Sequence, residues 1–596
     1  MSTASGLASI DALWPRILSC ADEISLTLLR TSFSPDVREN FDYGNAVYDS
    51  QGQMLAHGWP SATGHMTTMG SCVKDVLRRI DPQTLVPGDV LIGNDPWTGS
   101  GHTADIFVVT PIFRSGRIVG YAMNIVHHLD IGGRPNSTDS RSVYEEGLRI
   151  PVMRLAHGGK LNQDLVELIR YNVRFADKVV GDIKAQVAAN EAGAARFLEL
   201  LDRSGLDDLD EVGEELFRRT EAGMRRAISQ IPDGTYRAEV DIDDTDRAGN
   251  ALWLRLAVEV VGDSVTIDFT GSSPQVDRPI NSPLTFTSTY SVVGMKFVTD
   301  PYLPFNEGAY RPISFRTEMG TIASATFPAP TYWRGGVGLL VPDLIIRAMA
   351  DALPQQLPAS TGSLPVWLYT VHGTRSDREP FLLHSHCFGG TGGRPTADGM
   401  SSTGFPYNIQ DVPTEVFEND TPVLCVRREL REDSGGAGRY RGGLGERVSL
   451  RAAPGKVATD RVITVTGMFG RTKNGAPGLH GGKAGDIGVL LIDGRSTGDR
   501  SYQDIDFEHD QELTLLLPGG GGFGSPSERD PAMLAHDLRA GYVTRERAAI
   551  DYPEILPEAE ALLADQEEEA AGSSDATVQR LACRIPATPH GPYHIA

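Results

Sequence analysis

Apolar residues recur at helical spacing through residues 7–30, LASIDALWPRILSCADEISLTLLR, which predicts an amphipathic helix. The following FDYGNAVYDSQGQMLAH alternates apolar and polar positions and turns at Ser50-Gln51-Gly52, a hairpin pattern. A helix near 66–80 leads into a strand at 88–93, and DIFVVTPIF (105–113) and IVGYAMNIVHH (118–128) predict two more strands around Arg114-Ser115-Gly116-Arg117. Residues 161–229 read as mostly helical, and the proline and glycine of IPDGTY end that block. From about residue 234 the pattern changes to strands: YRAEVDIDD, LWLRLAVEVVGDSVTIDFTG, VVGMKFV and TFPAP, interrupted by a helical patch near 336–353. Glycine-rich loops between strands fill 386–445, and strands resume through 446–517. Residues 530–570 read as helical and acidic, and about 25 final residues as a loose tail.

This order describes a large multi-domain α+β chain. Its 596 residues exceed what one simple core accommodates. Three parts are expected: a mixed N-terminal domain over 1–230, a β-rich domain with glycine-rich loops over 231–525, and a helical C-terminal segment and tail over 526–596.

Composition narrows the partners. Asp and Glu number 78 against 55 Lys and Arg, a formal net charge of −23 that repels phosphate backbones and acidic lipid surfaces. Neither nucleic acid nor a membrane is expected as a partner, and no apolar run is long enough to span a bilayer. The N-terminus has no basic flank before an apolar run, the pattern of a signal peptide. The five cysteines form no CxxC pair and no disulfide framework, which fits a reduced, cytoplasmic compartment.

The chemistry concentrates at the predicted hairpin of 105–128, around His102, Asp105, His127, His128 and Asp130. A two-residue turn at Ser115-Gly116 pairs Arg114 with Arg117 and sets Asp105 opposite Val126, so both ends that carry histidines meet at one end of the hairpin. Imidazole nitrogens and a carboxylate brought together there suit a divalent cation such as zinc, manganese or iron. Strict alternation puts His127 on one face and Asp105 with His128 on the other. Glycines 99 and 101 leave His102 in a loop free to curl toward Asp105, and a bulge or one-residue slip decides between His127 and His128.

Other motifs carry less. Gly519, Gly521 and Gly524 satisfy GxGxxG after a strand, but Ser525-Pro526-Ser527 delays the helix that a dinucleotide site needs, so a turn closing a β domain is expected. His384 and His386 share a face of one strand and read as a packed or hydrogen-bonded pair. Asp241, Asp243, Asp244 and Asp246 lack the glycine and closing Glu of an EF-hand loop and read as a solvated hairpin. No GxxxxGK[ST] is present, so the chain shows no ATP site of its own.

The segments RTSFSPDVRENFDYGNAVYD (30–49), GDVLIGNDPWTGSGHTADIFVVTPIF (88–113), HHLDIGG (127–133), YEEGLRIP (144–151), LPFNEGAYRPI (303–313), DSGGAGRYRGGLG (433–445) and LPGGGGFGSPSERDP (517–531) resemble the hydantoinase B/oxoprolinase family. That family holds the B-type subunits of ATP-dependent N-methylhydantoinase and 5-oxoprolinase and the related subunits of acetone and acetophenone carboxylases. The resemblance implies a divalent metal on His102, Asp105 and His127, which favours His127 over His128. It makes Asp42 a further ligand or water-positioning base, with Asp42 or His128 as proton acceptor or outer-shell group. It implies a hetero-oligomer with an A-type ATPase subunit that binds ATP and phosphorylates a cyclic amide. The expected activity is therefore hydrolysis of a lactam or imide such as 5-oxoproline or a hydantoin, with a ketone carboxylase subunit as the alternative. The glycine-rich loops are expected to offer backbone N–H donors to phosphate.

Overall fold

The computed structural model describes residues 3–134, 137–458 and 460–572; the expected tail lies outside them. The fold is α+β, with four sheets and helices distributed between them. The first sheet has seven antiparallel strands in the order Met54–His57, Tyr43–Tyr48, Arg117–His127, Asp105–Arg114, Val90–Gly93, Met153–His157 and Lys160–Leu161. Its central strands carry apolar residues at both parities because both faces are covered. Helices Thr3–Thr31 and Ala176–Ser204 cover one face, with Ile17, Ile24 and Phe197 against Val47, Ala122 and Val126. Helix Thr63–Arg79 covers the other, with Met69, Val73 and Val76 against Ala46, Met123 and Ile125.

The hairpin turn forms where expected. Ser115 and Gly116 both have positive φ, 50° and 80°, as a turn matched to strand twist requires, and Arg114 pairs with Arg117. The register beyond it differs from the expectation. Phe113 pairs with Ile118 but Ile112 with Gly120, so Val119 is a bulge and all later pairs slip by one. Asp105 therefore lies opposite His127, not Val126. The slip reverses parity along the rest of the strand and puts Asp105 and His127 side by side.

A second sheet, in the order Ile313–Arg316, Ser264–Asp268, Ala251–Val261, Gly234–Thr245, packs with helices Leu284–Val298 and Leu340–Met349 around one large core. Two expected strands are absent here. VVGMKFV lies within helix Leu284–Val298, and TFPAP is turn and loop. The helix is buried nearly all round, so its apolar run has no amphipathic period, and β-branched valines then mimic a strand. The Asp241–Asp246 segment is not solvated throughout either. Asp243 and Asp244 are buried, Asp244 on Arg278 at 2.6 Å.

Two further sheets, built on Trp367–Thr374 with Pro380–Cys387 and on Glu446–Ala452 with Glu512–Leu516, share a core of Trp367, Val371, Leu450, Leu490 and Leu515. The glycine-rich segments lock together beside them. The N–H groups of Gly519, Gly520, Gly521, Gly522, Phe523 and Gly524 donate to the carbonyls of Asp486, Gly443, Ser360, Lys483, Tyr440 and Leu479. These donors are spent inside the fold, which corrects the expectation that they meet phosphate. The helices Pro531–Ala540, Arg545–Asp551 and Leu556–Gly572 follow, as the sequence suggested.

Close approach explains the glycines. A Cβ on Gly520 would lie 1.9 Å from the Thr391 carbonyl oxygen. Gly520→Ala is expected to lower unfolding stability by at least ~3 kcal/mol or to abolish soluble expression, as overpacking against backbone does. Chemical denaturation checks it; an unchanged midpoint would refute the lock.

Candidate metal centre

Chain segments from both sides of residue 230 converge on Asp105. Its Oδ1 lies 2.7 Å from His102 Nε2 and 3.0 Å from His127 Nδ1. Its Oδ2 accepts from Arg334 Nη2 at 2.9 Å and from the Ser100 hydroxyl, with His65 Nδ1 3.8 Å away. All these side chains are nearly excluded from solvent. Of the described residues, His102, Asp105 and His127 alone meet as three potential ligands, one atom from each lying within 4.8 Å of the others.

Each group is aimed by a neighbour. His102 Nδ1 donates to the Tyr332 carbonyl at 3.1 Å, which leaves Nε2 as the lone-pair nitrogen. That carbonyl is held in turn by Glu146, whose carboxyl accepts the N–H groups of Thr331 and Tyr332 at 2.8–2.9 Å. Burial pushes the Glu146 carboxyl up to about 8 even against those bonds. His102 Nε2 has no hydrogen-bond partner although Asp105 Oδ1 is in contact with it.

Asp42 joins from the strand edge. Its carbonyl accepts from His127 N–H, its Oδ1 accepts from His65 Nε2 at 3.0 Å, and its Oδ2 lies 4.0 Å from His127 Nδ1. Phe41, just before it, has φ 58°, a strained conformation for an aromatic residue at the entry to the site. His128 does not enter the cluster. Its Nε2 donates to Gln186 Oε1 at 3.1 Å on helix Ala176–Ser204, while its backbone N–H is tied to the Ala104 carbonyl. Asp130 likewise turns away, onto Arg174.

Sequence reasoning missed several participants. His65, Arg334 and the Asp36–His384 pair (2.9 Å) each sit in or against the cluster, His384 edge-on to His127 with ring centroids 4.9 Å apart. The shared face of His384 and His386 on their strand was a visible signal; its partner 348 residues earlier was not. His386 is buried against Tyr407 with neither ring nitrogen bonded.

The electrostatics follow from proximity. Burial by itself would raise Asp105, but His102, His65 and Arg334 hold it well below the usual carboxylate range. Asp42 is depressed in the same way by His65 and His127. Burial and the nearby Arg334 push His102 down to about 3, whereas the carboxylates of Asp105, Asp42 and Asp36 overcome burial and lift His127 to about 9.

His102, Asp105 and His127 thus form a group that could hold a metal ion, on a sheet hairpin inside a mixed α/β chain. The chain belongs to the hydantoinase B/oxoprolinase family, whose model matches residues 8–526. It is 32% identical over 568 residues to a Pseudomonas sp. (strain NS671) protein provisionally named as the B-type component of a D-/L-hydantoinase, covering 91% of this chain and 93% of that one. The crystal structure of ATP-dependent caprolactamase from Pseudomonas jessenii superposes with TM-score 0.82 at 26% identity, over 91% of this chain and 96% of that one. A nucleotide-free acetone carboxylase structure shares the fold, with TM-score 0.79 at 19% identity over 96% and 84% of the two chains. No described helix is long and apolar enough to cross a membrane.

His127 sets a pH dependence. Its folded-state value, about 9, exceeds the ordinary ~6.5 of an unfolded histidine. Its contribution to stability is thus full below about pH 6.5 and is lost as pH rises toward 9. In chelator-treated protein, the melting-temperature gap between wild type and His127→Gln should shrink between pH 6 and pH 9. A gap that widens would contradict the charged imidazole.

Proposed function

We propose that the chain is the metal-dependent catalytic subunit of an ATP-dependent cyclic amide hydrolase, acting on a lactam or imide after an A-type partner subunit has phosphorylated it. The observation that carries this reading is the convergence of His102, Asp105 and His127, all buried, with one potential ligand atom from each within 4.8 Å of the others. His102, Asp105 and His127 would hold a divalent cation there, with a donor set suited to zinc, manganese or iron. A bound dication would supply Lewis-acid polarisation and lower the pKa of coordinated water from 15.7 toward about 7.

The remaining steps belong to the chain. Asp42, kept ionised by His65, stands as proton acceptor beside the three ligands. Arg334 and Ser100 hold Asp105 in its charged form and fixed orientation. His128, pinned on Gln186, locks the backbone that carries His127 and serves as an outer support. An amide carbonyl is a poor electrophile, so prior phosphorylation of its oxygen by a nucleotide-binding partner gives the leaving group that the reaction needs. The ATP-dependence of the caprolactamase relative and the subunit designation of the hydantoinase relative support a hetero-oligomer of this kind. The acetone carboxylase likeness supports a second reading, in which the cluster polarises carbon dioxide or an enolate in a ketone carboxylase.

Co-expression with the A-type subunit and an ATPase screen over lactams, hydantoins and ketones, with and without bicarbonate, separates the two. Ring-opened amino acid without bicarbonate is the expected product; bicarbonate-dependent turnover assigns the carboxylase. His102→Ala should lower turnover by at least 10³-fold, on the order expected for losing a metal ligand, and deplete metal in elemental analysis. Retained turnover in that variant removes the assignment.

A further inference from the structure

Two carboxylate–imidazole pairs flank His127. In the first, Asp42 accepts from His65 at 3.0 Å and brings its second oxygen, Oδ2, to 4.0 Å from His127 Nδ1. In the second, Asp36 accepts from His384 Nδ1 at 2.9 Å, and the imidazole is the member that meets the cluster, edge-on to the His127 ring at 4.9 Å between centres. One pair therefore offers an oxygen and the other a nitrogen. Both carboxylates come from one loop, which the Asp42 N–H closes by donating to the Asp36 carbonyl at 2.9 Å. His384 comes from strand Pro380–Cys387, at the edge of its sheet.

A clasp between distant parts of the chain does not account for the second pair. Asn40 already supplies one: its Nδ2 donates to the His384 carbonyl at 3.4 Å, and its own carbonyl accepts from the Gln410 N–H at 2.9 Å. A clasp also uses Nδ1 alone, whereas His384 Nε2 is buried with no hydrogen-bond partner among the described residues. Other bare atoms gather beside it. Asp36 Oδ2, Asn40 Oδ1 and both ring nitrogens of His386, two residues along and on the same face of the strand, are buried and unbonded as well. Buried polar atoms are paired as a rule, so a group of bare ones marks a place where a polar ligand enters. Every atom of an imidazole lies close to its ring centre, so His384 Nε2 stays within one ring radius of that 4.9 Å separation from His127 whichever way it faces.

We propose that His384, oriented by Asp36, gives a proton to the ring nitrogen of the cyclic amide as its C–N bond breaks. The proposal rests on the hydrolytic reading of the cluster and adds the acid which that reading lacks. Water adding to the carbon of an O-phosphorylated amide leaves this carbon bonded to hydroxyl, phosphate and ring nitrogen, and Asp42 takes the proton that water gives up. Two bonds can then break. If C–O breaks, inorganic phosphate departs and the intact ring returns with the oxygen of water in its carbonyl. If C–N breaks, the electron pair goes to nitrogen, which takes the Nε2 proton and leaves as an amine, and a second water cleaves the acyl phosphate. An unprotonated nitrogen is a far poorer leaving group than phosphate, so a proton delivered there decides whether phosphorylation ends in ring opening. In this role His384 carries protons on both nitrogens, and the Asp36 carboxylate stabilises that form. Exchange with solvent resets Asp42 and His384.

The co-expressed complex tests this with ATP and 5-oxoproline, hydantoin or 2-pyrrolidinone in water enriched in oxygen-18, with released phosphate counted against ring-opened product. His384→Gln can still bond Asp36 but has no acid proton. It is expected to slow ring opening by at least ~10²-fold while phosphate release falls less than about threefold, so that ring recovered intact carries oxygen-18. Asp36→Asn, which removes the positioning carboxylate, should shift the ratio in the same direction by a smaller factor. Both variants should keep the metal content of the wild type. Ring opening and phosphate release lost together in both variants, through misfolding or otherwise, would make the pair structural and overturn the proposal. Unchanged ring opening in His384→Gln would overturn it too. The hydrolytic reading fails on different results, namely no ring opened by the wild type or turnover retained in His102→Ala, and either removes the proposal with it.

Discussion

Asp105 is a carboxylate with no access to water, and the arrangement around it exists to keep it ionised. An isolated carboxylate in such a place would neutralise itself by taking a proton. Here a guanidinium and a hydroxyl hold one oxygen, and two imidazoles crowd the other. The guanidinium arrives from residue 334, and the same stretch supplies the Tyr332 carbonyl that orients His102. Glu146 ties that stretch to the first sheet through the Thr331 and Tyr332 N–H groups. The second core of the molecule is thereby fastened to the first through the charge requirements of one side chain. Removing either anchor leaves a buried charge unbalanced, which costs more than the loss of an ordinary contact.

The hairpin shows how far the sequence was legible. The two-residue turn, its paired arginines and the meeting of His102, Asp105 and His127 at one end could all be read from residue types and spacing. The face could not, because parity depends on the single bulge at Val119, and nothing in IVGYAMNIVHH marks it except a glycine. Gly120 passes so near the Tyr48 carbonyl that a Cβ would lie 2.5 Å from it, a reason visible only once the neighbouring strand is placed. The same limit hides Asp36 and His384, which are partners across 348 residues. Helix Leu284–Val298 was unreadable for a different cause. Burial on nearly all sides erases the periodicity by which helices are recognised.

The glycine-rich stretches were legible as loops between strands but not as a lock. GxGxxG after a strand looks like a phosphate cradle because its N–H groups would be free. In this fold strands of glycine lie against one another so closely that each donor meets a carbonyl of a neighbouring loop. The donors that a phosphate would need are thus used in holding the β-rich part together. Side-chain cations are left as the means of meeting an anion in this part of the fold.

That constraint bears on a chain whose formal charge is −23. Long-range repulsion does not decide the matter. At about 20 Å and physiological salt, each surface charge contributes roughly 0.02 kcal/mol once screened over a Debye length of ~8 Å, so the whole excess amounts to less than ~1 kcal/mol. A cation about 4 Å from a carboxylate is worth on the order of 4 kcal/mol at an effective dielectric constant of about 20. One cation in contact with an anion therefore outweighs the acidic surface by several-fold. The net charge can keep polyanions away from the exterior while a single cation at contact distance still holds a small anion, and local placement matters more than the sum over all surface groups.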